Sequence, residues 1–142
     1  MKAALFIVGV IVTLVLFAGI FVLKIRFVEL EVPVGFRGLI RINQAAGAGG
    51  IEREVLRSVI RIPASGEVKV DSLAVFRRLH RLTARYADGR PIEVVLPGDE
   101  FPGDALWQMD TPPTDNIYYF VGTREELISF ISEKQKQLYR AK

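Results

Sequence analysis

The hydrophobic pattern of this chain changes from continuous to alternating near residue 24. Residues 3–23 form a run of 21 uncharged residues, of which 15 are Leu, Ile, Val or Phe. A helix of that length rises about 31 Å at roughly 1.5 Å per residue, which matches a hydrocarbon core of about 30 Å. Because no polar face interrupts the run, it predicts a transmembrane anchor over residues 1–24 rather than an amphipathic helix.

The same run favours a permanent anchor over a removable signal peptide. A signal peptide has an apolar core of about 7–15 residues and ends in a small-x-small cleavage site. This run is longer, and its end, residues 17–23, contains no Ala-x-Ala pattern. Gly9 and Thr13 lie four residues apart and are candidate helix-packing residues, although both residue types are common in membrane helices.

Alternation with a two-residue period begins after the run and predicts strands. Val28, Leu30 and Val32 alternate with Glu29 and Glu31. Similar patterns predict further strands at residues 37–42, 54–62, 67–70, 80–86, 92–96, 106–109 and 117–121. Segments rich in Gly, Pro and Asp separate them and predict turns, and residues 71–78 are ambiguous between a helical turn and a loop.

The last predicted element is a helix. Thr123 and Glu126 have the spacing of a capping box, and apolar residues then recur at positions 127, 130, 131 and 138. The fold class expected is therefore mainly β: a single N-terminal transmembrane helix, an antiparallel β-sandwich-like domain over residues 25–122, and a C-terminal amphipathic helix with a polar tail over residues 123–142.

The charge pattern is uneven along the chain. Residues 37–90 carry ten Arg and one Lys against five acidic residues, whereas residues 91–133 carry nine acidic residues against Arg124. This asymmetry predicts that the two halves pair in the fold. The alternative is a basic surface for a partner or for anionic headgroups.

Seven arginines on predicted strands form the candidate partner-binding basic face. If the period of two holds, they lie opposite the apolar positions of their strands. They are Arg37, Arg41, Arg53, Arg57, Arg61, Arg81 and Arg85. The favoured interpretation is a solvated outer face whose arginines pair across strands with Glu29, Glu31, Glu54 and Glu93, and the alternative is a docking surface for an acidic protein or for lipid headgroups. Few aromatic residues interleave with these positions, so nucleic-acid binding is not expected.

Residues that could carry catalysis are sparse. The chain has one histidine, His80, and no cysteine, so we expect no catalytic residues, no cofactor, no metal site and no enzyme activity. The Gly-rich residues 45–50 lack the Lys-Ser/Thr of a phosphate-binding loop. Asp99, Glu100 and Asp104 offer oxygen ligands for calcium but match no Asp-x-Asp-x-Asp loop, which favours a solvated loop.

An aromatic group late in the domain has two interpretations. Trp107, Tyr118, Tyr119 and Phe120 could fill a core, which is the common role of such residues. They could instead form a platform for a carbohydrate or a peptide.

Four segments together resemble a bacterial family of small cell-envelope domains, often lipoproteins, of uncharacterised function. They are Val-Pro-Val-Gly-Phe-Arg-Gly at 32–38, Ile-Pro-Ala-Ser-Gly-Glu-Val at 62–68, Tyr-Ala-Asp-Gly-Arg at 86–90 and Tyr-Phe-Val-Gly-Thr-Arg-Glu-Glu at 119–126. The resemblance implies an extracytoplasmic β-rich domain beside a membrane and supplies no site residues. This chain lacks the lipid-accepting cysteine, which leaves the predicted helix as its anchor.

Two opposing signals bear on the orientation of the predicted anchor in the membrane. Lys24, Arg26 and Arg37 outnumber Lys2 across the run, which weakly favours a cytoplasmic domain. A Met-Lys start before a long apolar run is instead typical of a bacterial signal anchor that exports the following domain, and the resemblance agrees with export.

These observations predict a non-enzymatic, single-pass protein of a bacterial inner membrane with a periplasmic β-domain. The expected role is a structural or interaction subunit of a larger assembly, such as a respiratory, photosynthetic or secretion complex. Its expected partners are the bilayer, through residues 3–23, and other membrane-protein subunits. The alternative is a membrane-tethered module that binds a small ligand or a glycan.

Overall fold

The computed structural model describes Thr13 and residues 26–54, 56–77, 80–109 and 116–140. The predicted anchor, with Gly9, lies outside the described residues apart from Thr13, which is helical and exposed. No helix among the described residues combines the length and the apolar character needed to cross a bilayer.

The described residues are mainly β, as the alternating pattern predicts. The strands are β1 (Arg26–Val32), β2 (Gly38–Gln44), β3 (Glu52–Arg53), β4 (Arg57–Arg61), β5 (Glu67–Val70), β6 (His80–Tyr86), β7 (Pro91–Val95), β8 (Ala105–Gln108) and β9 (Asn116–Gly122). The helices are the short α1 (Ala74–Arg77), within the ambiguous segment 71–78, and the C-terminal α2 (Arg124–Arg140).

The strands form one curled sheet in the order β3-β4-β1-β6-β7-β8-β9-β2-β5. The prediction of an antiparallel sandwich is wrong, because the sheet is mixed. Strand β1 runs parallel to both β4 and β6, β2 runs parallel to β5, and β7 runs parallel to β8. Alternation reports which side chains share a face of a strand, and it carries no information on the direction of the neighbouring strand.

Two similar connections explain much of the parallel pairing. The turn at residues 33–37 joins β1 to β2, and the turn at residues 62–66 joins β4 to β5, in each case linking strands that are not hydrogen-bonded to each other. We call these connections the first and second arch. Because β4 lies parallel on β1 and β5 lies parallel on β2, the two arches stack in the same direction.

The main core lies on the inner surface of the curl. Val28, Leu30 and Val32 of the central strand β1 are fully buried, as their alternation predicts. They pack in one cluster with buried residues of β2, β4 and β9, including Ile40, Ile42, Ile60, Tyr119 and Val121.

The buried tyrosine of this core, Tyr119, should make the domain less stable at alkaline pH. Burial raises the pKa of the Tyr119 hydroxyl above its ordinary value. Unfolding returns the hydroxyl to water, where it ionises near pH 10. Stability that is fully present below about pH 10 is therefore lost as the pH rises toward the folded-state pKa.

Thermal unfolding followed by circular dichroism should accordingly show a melting temperature that falls above about pH 10. The fall should be shallower in Tyr119→Phe, which has no hydroxyl to ionise. Equal slopes in the two proteins would contradict this role for Tyr119.

A smaller second core lies beneath α2. Trp107 and Phe120, 4 % and 5 % exposed, pack there with Leu127 and Phe130 of the helix. The capping box is confirmed, because the Thr123 backbone N–H donates to Glu126 at 2.9 Å and the Glu126 N–H donates to the Thr123 hydroxyl at 3.3 Å.

The Gly-rich loop 45–50 brings the two edges of the sheet together. Its Ala45 N–H donates to the Val70 carbonyl of the edge strand β5, and Gly49 binds Asp71 through both its N–H and its carbonyl. The chain then leads through Ile51 into β3, the opposite edge. Gly50, at a φ of +75°, lies so close to the Lys69 carbonyl that a Cβ there would collide with it. The loop thus covers an edge that would otherwise expose unpaired backbone groups.

Candidate functional site

The outer face of β1, β4 and β6 carries an alternating chain of acidic and basic side chains, which we call the charge chain. In spatial order its members are Glu54, Arg57, Glu29, Arg85, Glu31, Arg61 and Glu52. The strand register creates it, because Glu31 of β1 pairs with Arg61 of β4 on one side and with Arg85 of β6 on the other.

The centre of the charge chain is held by two largely buried carboxylates. The Glu29 and Glu31 side chains are 13 % and 18 % exposed. Arg85 bridges them, with Nε 2.8 Å from Glu29 Oε1 and Nη2 2.8 Å from Glu31 Oε2. Arg57 Nη1 lies 3.2 Å from Glu29 Oε2, and Arg61 Nε lies 3.2 Å from Glu31 Oε1. A hydrogen bond to Glu54 is the main cause that raises the pKa of Arg57.

The two halves of the sequence do pair in the sheet, where β2 lies beside β9 and β6 beside β7, but few of their opposite charges meet. The cations of the charge chain bind acidic residues of their own half or of β1, because β1, β3, β4 and β6 are neighbours in the sheet. Arg37 connects the halves by ion pairs to Asp104 and Glu126.

The seven candidate arginines do not share one face. Arg53 belongs to β3 and pairs in register with Ser58, so it lies on the side of the sheet opposite Arg57 and Arg61. The prediction placed Arg53 on the same strand face as Arg57 and Arg61, whereas β3 ends at Arg53 and β4 begins at Arg57. Arg41 lies in the other half of the sheet and contacts Glu67 at 3.4 Å. Arg53 and Arg81 are exposed and have no carboxylate partner within the described ranges.

A cleft of about 340 Å³ opens at the end of the domain where β1 finishes, which we call the far end. The first arch forms one wall and the turn between β6 and β7 forms the other. Asp104, just before β8, closes the side. It is lined by Gly35, Phe36, Arg37, Tyr86, Arg90, Pro91, Ile92 and Asp104. Segments distant in sequence meet there because β6 runs parallel to β1 and both strands end at the far end.

Arg37 fixes one wall of the cleft. Its Nη2 lies 2.6 Å from Asp104 Oδ2 and its Nη1 lies 2.6 Å from Glu126 Oε2. The hydrogen bond to Asp104 is the main cause that raises the pKa of Arg37. Because Glu126 also caps α2, this arginine ties the first arch to the start of the helix.

Arg90 occupies the opposite wall and is more accessible. Its guanidinium stacks 5.1 Å from the centre of the Tyr86 ring, and its Nε lies 2.8 Å from Asp88 Oδ2. The Arg90 backbone N–H and then its side chain lower the pKa of Asp88. Arg90 is 64 % exposed, so its remaining donors can meet an acidic group that enters the cleft.

The aromatic group does not form a binding platform. Trp107, Tyr119 and Phe120 are at most 5 % exposed and belong to the two cores, and Tyr118 is half-buried. The Trp107 Nε1–H donates to the Gly122 carbonyl at 2.8 Å, which satisfies the polar atom of that buried ring. The interpretation that these aromatic residues fill a core is confirmed for Trp107, Tyr119 and Phe120, which excludes the platform alternative for those three.

The other candidate residues are separated in the fold. Asp104 binds Arg37, Glu100 binds Arg124 at 2.6 Å, and Asp99 is exposed. The described residues contain no group of three or more potential metal ligands. The His80 and Phe76 rings pack in a T-shaped arrangement with their centroids 5.8 Å apart.

The far-end cleft was not predicted from the sequence. Its walls come from residues 35–37, 86–92 and 104, which no motif connects. The sequence contained two separate hints of it. The segments 32–38 and 86–90 both belong to the family resemblance, and each contributes one wall of the cleft.

Comparison with known proteins adds little to this geometry. No family model matches the chain, and no curated protein matches it. A crystal structure of a protein from Bacillus anthracis, named "putative lipoprotein", is similar over 69 % of each chain, with 12 % identity and a TM-score of 0.35. Similarity at this level establishes no family for the chain.

Proposed function

We propose that this chain is a single-pass protein of a bacterial inner membrane that presents its β-domain on the extracytoplasmic side as a non-enzymatic interaction subunit. The observation that supports this role most directly is the position of the cleft. The apolar run leads into the start of β1, whereas the cleft lies where β1 ends. An anchor at residues 3–23 would therefore hold the cleft facing away from the membrane.

The cleft has the chemistry of a protein-binding site. Phe36, Tyr86 and Ile92 supply apolar and aromatic surface, and Arg90 supplies an accessible cation. Tyrosine and arginine are the side chains that most often dominate binding at protein interfaces, together with tryptophan. We expect the partner to insert an extended segment whose carboxylate meets Arg90.

The charge chain supports this choice of surface. Arg57, Arg61 and Arg85 bind Glu29 and Glu31 of their own domain, so a partner that docked on them would have to compete with these contacts. At the cleft the competition is smaller, because Val34 is 55 % exposed and Arg90, although it pairs with Asp88, remains 64 % exposed.

A photo-crosslinking amino acid at residue 34 should capture a membrane-protein partner in cells that express the full chain. The same probe at Leu96, which is 54 % exposed, is the matched control and should capture much less. Arg90→Glu should reduce the adduct at residue 34 by about tenfold. Reversing the charge that meets the partner's carboxylate in the complex costs on the order of 1.4 kcal/mol or more of binding free energy.

Two results would contradict the interaction role. One is purification in mild detergent as a monomer that yields no adduct at residue 34. The other is equal capture at residues 34 and 96, which would indicate collision rather than docking.

A membrane-tethered small-ligand module is the second candidate. Its support is the volume of the cleft, about 340 Å³, which falls within the range of about 300–1,000 Å³ found for small-molecule sites. A monomer without adducts whose melting temperature rises with an anionic small molecule, and no longer rises in Arg90→Gln, would favour this candidate.

A further inference from the structure

We infer that the end of the β-domain at which β1 begins, which we call the near end, is seated in the anionic headgroup layer of the bilayer. This inference rests on the proposed membrane anchor at residues 3–23. It assigns a lipid contact to Phe27 and Leu56 and a headgroup contact to Arg53 and Arg81.

The length of the tether limits how far the domain can stand from the bilayer. Only Lys24 and Ile25 separate the apolar run from Arg26, the first residue of β1. Three residue steps span at most about 11 Å when fully extended. The headgroup layer is about 5–8 Å thick on each side of the hydrocarbon core. The start of β1 therefore lies within the headgroup layer or at its edge.

Two exposed apolar side chains lie at this end. The Phe27 N–H donates to the Leu56 carbonyl at 2.9 Å, so the hairpin between β3 and β4 lies beside the start of β1. Phe27 is 37 % exposed and Leu56 is 39 % exposed. Exposed aromatic and aliphatic residues next to a transmembrane segment are typical of the membrane interface.

Two exposed arginines lie near these apolar residues, one on each side of the sheet. Arg81 lies in register beside Phe27, and Arg53 lies at the end of β3 in the same hairpin as Leu56. Neither is bound to a carboxylate within the described part of the chain, in contrast to Arg57 at the same end, which neutralises Glu54. Lys24 and Arg26 add two more cations next to this end in the sequence. Exposed apolar side chains with cations beside them complement an anionic lipid surface.

Single cysteines can test this placement, because the full-length chain contains no native cysteine. Leu56→Cys reports on the near end, Val34→Cys reports on the far end from a more exposed position, and Val10→Cys reports on the apolar run. Each full-length variant carries a fluorophore and is reconstituted into vesicles of phosphatidylcholine and phosphatidylglycerol that contain brominated lipid as a quencher.

Quenching at residue 56 should be several-fold stronger than at residue 34, and residue 10 should be strongly quenched. In the Leu56→Cys protein, Arg53→Gln with Arg81→Gln should lower the quenching toward the value measured in phosphatidylcholine alone. High salt should act in the same direction, because it screens exposed charges.

The outcomes separate this inference from the proposed anchor. If residue 10 is quenched while residues 56 and 34 behave alike, the anchor stands and the seated near end is wrong. If residue 10 is not quenched, both are wrong. If quenching at residue 56 does not change with lipid charge, with salt or with the arginine substitutions, the proposed headgroup contact of Arg53 and Arg81 is wrong.

Discussion

Leu30→Ala should lower the free energy of unfolding by about 3–5 kcal/mol, the range expected when a leucine is truncated in a core that cannot collapse. Leu30 lies at the middle of β1, is fully buried and has Ile60 and Ala84 beside it in register. Hydrogen-bonded strands on both sides of β1 prevent the backbone from moving into the space left by the missing atoms. The substitution therefore loses both the transfer free energy and the packing contacts.

Leu96→Ala provides the matched control, because Leu96 is 54 % exposed and its truncation should change stability by less than about 0.5 kcal/mol. Denaturant unfolding of the full chain in detergent, followed by circular dichroism and by Trp107 fluorescence, measures both variants. Trp107 is the one tryptophan of the sequence, so its signal reports specifically on the core beneath α2. Similar effects of Leu30→Ala and Leu96→Ala would contradict the packing of β1 described above.

Gly66→Ala should lower the free energy of unfolding by about 2–5 kcal/mol, because backbone strain of about 1–2 kcal/mol adds to overpacking of about 1–3 kcal/mol. Gly66 has a φ of +76° in the second arch, and a Cβ there would collide with the Leu39 carbonyl and contact the Phe36 ring. The Leu39 carbonyl is part of β2, and the Gly66 carbonyl accepts a hydrogen bond from the Arg41 N–H at 2.8 Å. The arch cannot yield without disturbing β2.

Gly35→Ala in the first arch separates the two contributions. Gly35 has the same φ of +76°, but a Cβ there would meet no atom within 4 Å. This variant should therefore show the strain alone, about 1–2 kcal/mol. Melting temperatures of the two variants in the same detergent give the comparison. Equal losses would mean that the close approach of the second arch to β2 does not exist in solution.

The sequence predicts the strands and the helix cap better than the way in which they assemble. The alternation of Val28, Leu30 and Val32 identifies the buried face of β1, since the period of two is a local property of a strand. The direction of β4 beside β1 depends instead on the second arch, which carries the chain across the curl before β5 begins. A turn such as Pro63-Ala64-Ser65-Gly66 has the same composition whether it closes a hairpin or an arch.

The same limit applies to the candidate sites. The pairing of Glu29, Glu31 and Glu54 with strand arginines is the interpretation that the sequence favours, and the structure contains these pairs. Arg53 was assigned to the wrong face of the sheet, because the sequence pattern does not show that a three-residue hairpin separates it from Arg57. The cleft could not be predicted, since it needs the parallel pairing of β1 with β6 to bring Phe36 near Tyr86.

The central position of β1 has a mechanical consequence. A force that reached the domain through residue 26 would act along the axis of β1, which is hydrogen-bonded on both sides to parallel strands. Such a load shears the two ladders, so their hydrogen bonds must break together. A strand at the edge, such as β3 or β5, could instead be peeled away one bond at a time. A load applied through residue 26 would thus act on two hydrogen-bonded ladders at once rather than on an edge strand.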